Sequence, residues 1–151
     1  MDGMNMVGRA MQMTPLDETT WEGMVIQLAT APPATHSVFQ GDAQGMITPT
    51  AEDSIHLMAV LADEETSERI PYANVWVTVK DQDGTVLFDE RMWPMLSQSM
   101  GMHYGINVPL PGLGQYKVSL LVGPPQAARH PEYMERWLES FTFETTFEWG
   151  G

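Results

Sequence analysis

The stretch SIHLMAVLAD, Ser54 to Asp63, decides the fold class. Ile55, Leu57, Ala59 and Leu61 alternate with His56, Met58 and Val60. Successive side chains on a strand point to opposite faces, so this period of two marks a strand with one aliphatic face. The aliphatic row is the core face. His56 and Met58 share the other face, where an imidazole and a thioether can turn toward one point.

The neighbouring segments repeat the pattern. EGMVIQLAT is a strand ended by APPAT, because proline cannot donate to a ladder. ANVWVTVKD puts Val75, Val77 and Val79 on one face. KDQDGTVLFDE is a hairpin signal, with Asp-Gly between two apolar runs. HYGINVPL groups Tyr104, Ile106, Val108 and Leu110, and QYKVSLLVG groups Tyr116, Val118, Leu120 and Val122 after the turn PGLG. In SFTFETTFEW, Phe141, Phe143, Phe147 and Trp149 oppose Glu144, Thr146 and Glu148. HPEYMERWLE reads as one short helix, with Pro131 in its first turn and Glu132 favourable to the dipole there. Seven or so short strands with regular turns predict an all-β chain, an immunoglobulin-like antiparallel β-sandwich with one short helix. Residues 1–20, rich in Met and Gly, read as a mobile arm or an added edge segment. Residues 21–151 read as a single β-sandwich domain.

Composition narrows the function. Twenty acidic residues against seven basic ones give a net charge of −13. That charge opposes binding to nucleic acid or to an anionic membrane surface. No apolar run approaches the ~18 residues needed to span a bilayer. MDGMNMVGRAMQM lacks the basic segment and apolar core of a signal peptide, so the expectation is a cytoplasmic protein or one that starts after a removed leader or anchor. Cysteine is absent. Thiolate zinc sites, iron–sulfur clusters and blue-copper centres are thereby excluded, and a metal must use His, Met, carboxylate or backbone oxygen.

Four histidines are present: His36, His56, His103 and His130. They are far apart in the chain, but strands of a sandwich can bring distant residues together. Each alone is an ordinary surface or hydrogen-bonded residue. Thirteen methionines are many, and Met92, Met95, Met100 and Met102 crowd what reads as a loop before His103. Methionine is flexible core filler, yet a loop is an odd place for four of them. No nucleophile–base pair, phosphate loop or paired carboxylate is recognisable, so a hydrolytic enzyme has little support.

The segment WPMLSQSMGMHYGINVPLPGLGQYKVSLLVGPP, with IHLM at Ile55 to Met58, ARH at Ala128 to His130, RWLESF and FETTFEW, resembles the periplasmic iron-transport-associated metal-binding proteins. The resemblance runs over roughly residues 50 to 149. It implies an immunoglobulin-like sandwich that binds copper, with zinc or iron as alternatives, without catalysis. It also implies a homodimer with the metal near the subunit interface, a membrane iron permease as partner, and a periplasmic or cell-surface location. Carried over by position, the ligands would be His56, Met95, His103 and His130. The spacing from Met95 to His103 is one residue longer than the usual pattern, which leaves Met100 and Met102 as alternative sulfur donors. Met58 stands where the family has a glutamate, and is a further candidate ligand with a preference for Cu(I). Two other readings compete: an interaction module that has lost the metal site, and a copper-dependent redox enzyme, which lacks any second cofactor motif.

Overall fold

The computed structural model describes residues 13–151. Its strands are β1 (Thr14–Trp21), β2 (Met24–Ala31), β3 (His36–Gln40), β4 (Ala43–Ile47), β5 (Asp53–Asp63) and β6 (Val75–Asp81). They continue with β7 (Val86–Arg91), β8 (Trp93–Ser97), β9 (Gly101–Pro109), β10 (Gly114–Val122) and β11 (Phe141–Trp149). One sheet has the order β1-β2-β5-β9-β8, the other β11-β10-β6-β7, and β3-β4 forms a separate hairpin. Neighbouring strands pair antiparallel throughout.

The expected sandwich is therefore present, and the alternating rows explain it. Ile55, Leu57, Ala59 and Leu61 of β5 meet Val75, Val77 and Val79 of β6 and Val118, Leu120 and Val122 of β10 in one buried core. Each Val, Leu or Ile among these, once out of water, contributes roughly 1.5–3 kcal/mol. Tyr104 is fully buried, and its hydroxyl donates to Ile70 O (2.9 Å) and accepts from Ala73 N (3.0 Å). It thus satisfies both backbone groups of the crossing that leads from β5 to β6. Trp21 stacks on Phe141 at 5.4 Å between centroids and closes the edge where β1 meets β11.

Two expectations change and another narrows to one of its alternatives. Within the 1–20 stretch, residues 14–20 belong to β1, an added edge strand; residues 1–12 lie outside the described residues. The stretch around Met95 is the edge strand β8 and not a loop, with Met95 opposite His103 in the register. Pro94 hides this in the sequence, but an edge strand tolerates a missing donor. The short helix reduces to one 3-10 turn, Pro131–Tyr133. The reason is Arg129. Its guanidinium donates to the carbonyls of Pro125, Tyr133, Arg136 and Trp137. Trp137 turns the chain at φ 55° and is buried, its indole donating to Trp21 O at 2.9 Å. The backbone bonds of the segment itself are of the i→i−3 kind, Tyr133 N to His130 O, Met134 N to Pro131 O and Arg136 N to Tyr133 O, and Arg129 and the Trp137 anchor fix its carbonyl end.

Candidate metal centre

The face of the five-stranded sheet that points away from the core carries the candidate ligands. Along β9, Tyr104, Ile106 and Val108 are core, so His103, Gly105 and Asn107 face outward. Along β5 the outward residues are His56 and Met58, and next to them on β2 are Ala29 and Ala31, which pair with Met58 and His56. Small residues (Ala29, Ala31, Gly105) thus alternate with large ones and leave a trough. Its walls are β8 and the start of β3. Together they form a cleft of about 820 Å³ that includes His36, His56, Met58, Met95, Met100 and His103.

Gly105 shows how closely the donors converge. A Cβ placed there would be 2.8 Å from His56 Nε2 and 3.1 Å from Met95 Sδ. An imidazole nitrogen and a thioether sulfur therefore hang over the same bare stretch of backbone. A side chain would push both away.

The tautomers follow from the hydrogen bonds. Asn107 Oδ1 accepts from Ala34 N (3.1 Å) while its amide donates to Ala34 O (2.9 Å), which fixes the orientation of the carboxamide. His56 Nδ1, 2.8 Å from that Oδ1, must donate its proton. His103 Nδ1 likewise donates to Gly101 O at 3.0 Å. Both rings thereby keep Nε2 unprotonated, the arrangement that outer hydrogen bonds impose on metal-binding imidazoles. Burial pushes the pKa of His56 below the ordinary histidine range; the bond to Asn107 opposes this, and facing His103 and His36 add to it. Burial also lowers His103, against the Gly101 bond and with help from Arg69. Neutral imidazole is the ligand form, so these shifts extend its range toward acid.

The remaining predicted ligands divide. Met58 is 1% exposed and packs with Ala29, Ala31, Val60 and Met100, while also lining the cleft. The crowd of methionines separates by destination. Met92 enters the main core, Met102 packs against it, Met100 joins Met58, and Met95 is half-buried in the cleft. His130 is exposed at the start of the 3-10 turn and does not line the cleft. Among the described residues, no three His, Cys, Asp or Glu side chains are grouped closely enough to hold a metal ion. Any ion in this cleft within one chain must rest on thioether sulfur as well as imidazole. Asn107 and Gly105 escaped the sequence reading, although the period of two that groups Tyr104 with Ile106 also places them beside His103.

Comparison with known proteins places this geometry in context. A family model described as Fe2+ transport protein matches residues 16–151. A UPF0423 protein from Brucella abortus is 29% identical over 126 residues, covering 73% of this chain and 69% of the relative. A copper-bound variant of FetP from uropathogenic Escherichia coli strain F11 superposes with a TM-score of 0.75 at 26% identity, covering 92% of this chain and 98% of the other. The copper-reconstituted P19 protein from Campylobacter jejuni shares the fold, with a TM-score of 0.74 at 21% identity over 92% of this chain and 97% of that one.

Proposed function

Since the chain belongs to the Fe2+ transport protein family, we propose that it is a non-catalytic copper-binding protein of extracytoplasmic iron and copper handling. The observation that carries this is the convergence of His56 Nε2 and Met95 Sδ over Gly105, beside His103. Two imidazoles with free Nε2 atoms and a thioether suit copper better than a hard ion. The copper bound to FetP supports the choice of metal. No carboxylate lines the cleft among the described residues, and Arg91 does. That balance disfavours a divalent ion and favours Cu(I), with Met58 in place of an anionic donor adding to the preference.

In this reading His56, Met95 and His103 hold the ion, and Met58 flanks it. His130 stands apart in one chain, so the fourth donor is His130 of the partner subunit in a homodimer whose interface crosses the cleft. The location is the periplasm or cell surface, with a membrane iron permease as partner.

Titration of the metal-free protein with Cu(I), Cu(II), Zn(II) and Fe(II) tests the reading. One copper per chain is expected, with loss of binding in His56→Ala and His103→Ala. His130→Ala should weaken copper while the dimer persists. Silence toward all four ions would instead favour the interaction-module reading, for which the burial of Met58 among Ala29, Ala31 and Val60 is the supporting observation.

A further inference from the structure

We propose that His36 is a further metal ligand of this cleft, binding the same copper ion as His56 from the β3 side. The inference rests on the copper-binding reading above and adds a donor to it. The His36 and His56 rings lie 5.9 Å apart between centroids at 52°. With metal–nitrogen bonds of about 2.0–2.1 Å, two imidazoles on one ion place their ring centres roughly 5–6 Å apart. The observed separation suits that geometry for this pair; as they stand, His36, His56 and His103 are not grouped closely enough to share an ion, so binding requires the three side chains to draw together around the copper.

The protonation of His36 matches that of the other two rings. Its Nδ1 lies 3.2 Å from Ala34 O, and a carbonyl can only accept, so Nδ1 carries the proton and Nε2 is free. The same carbonyl accepts from Asn107 Nδ2 at 2.9 Å. One carboxamide therefore orients both imidazoles, His56 directly and His36 through Ala34. Nothing in the packing of β3 requires a histidine: its residues are exposed or half-buried, and the hairpin contributes none to either buried cluster. A half-buried imidazole in a cleft without a carboxylate supplies the donor that Met58, as a weak thioether, replaces poorly.

Copper binding by His36→Ala tests this, with circular dichroism and thermal melting to confirm the fold. Affinity for Cu(I), read by competition with a chromophoric chelator, should fall about tenfold or more. The nitrogen count around Cu(II), read by electron paramagnetic resonance, should fall by one imidazole. Asn107→Ala should weaken copper more than His36→Ala, because it frees both rings. Unchanged affinity and nitrogen count in His36→Ala, with the wild type binding copper, would overturn the inference and leave the copper reading intact. A wild type that binds no copper would overturn both.

Discussion

A methyl group added at Gly105 meets His56 Nε2 at 2.8 Å and Met95 Sδ at 3.1 Å. Both neighbours are ends of side chains, so Gly105→Ala is expected to fold. The cost falls on the metal: copper affinity should drop at least about tenfold with little change in melting temperature, as seen for misplaced ligands. Wild-type affinity in that variant would show that the two donors do not share an ion. Met58 bears on oxidation state. Met58→Glu restores a hard anionic oxygen on the same strand face as His56, so Cu(II) should gain relative to Cu(I). An unchanged ratio of the two affinities would leave Met58 as packing alone. The imidazoles also set a pH response. His56 and His103 titrate below the ordinary value of about 6.5, so the unfolded chain takes up protons first as pH falls. Their contribution to stability is complete above that value and is lost as pH drops through the depressed folded pKa values. Melting curves of the metal-free protein should be flat from pH 8 to 7 and fall below about 6.5. The fall should be reduced in a variant with both residues changed to glutamine.

At the scale of elements, the segment bearing His130 depends on the end of β5. Asp63 accepts from Tyr133 Oη at 2.6 Å and from the backbone N–H groups of Glu65 and Thr66 at 2.8 and 3.0 Å, and Arg136 stands 3.7 Å away. The Tyr133 hydroxyl bond is the main reason its carboxyl titrates below the usual range. Its contribution is present at neutral pH and is lost as pH falls through that depressed value. Asp63→Asn should destabilise the fold by about 1–3 kcal/mol in urea unfolding, because an amide NH2 group replaces the charged Oδ2 that accepts from Tyr133 and faces Arg136. Tyr133→Phe should cost less, because two backbone donors remain. If Asp63→Asn had wild-type stability, the cluster would not anchor the turn. Arg129 acts on the same segment, its guanidinium adding to the i→i−3 backbone bonds by binding the carbonyls of Tyr133, Arg136 and Trp137. The motif ARH thus separates into a structural arginine and an exposed histidine.

At the scale of the whole molecule, charge opposes self-association. Each chain carries −13, and two such surfaces repel. Salt shortens the reach of that repulsion from ~10 Å at 0.1 M to ~3 Å at 1 M. The proposed homodimer should therefore tighten as salt rises, visible as a shift in sedimentation between the two conditions. A monomer in both would refute it. Leu96, 87% exposed, and Phe39, 64% exposed, stand at the cleft walls. Leu96→Glu should weaken a dimer that closes over the cleft, without lowering the melting temperature of the single chain.

The sandwich was legible in the chain, because a period of two in apolar residues needs no partner to be read. The rows beginning at Ile55, Val75, Tyr104 and Tyr116 all entered one core. The sequence also placed His56 and Met58 on the outward face of β5, which is the same period seen from the other side. The strands it did not disclose are those without such a row: β3 and β4 are largely exposed, and β8 carries a proline on an edge. The remainder came from long-range pairing of the strands. Register put Met95 opposite His103, and strand order put Ala31 and Gly105 beside His56, so the trough exists only once β2, β5, β9 and β8 are assembled. The tautomers of His56 and His36 depend on Asn107 and Ala34, 73 residues apart in the chain. Such contacts arise from the closing of the sheet, where backbone pairing over long separations fixes which side chains meet, and no local pattern records them.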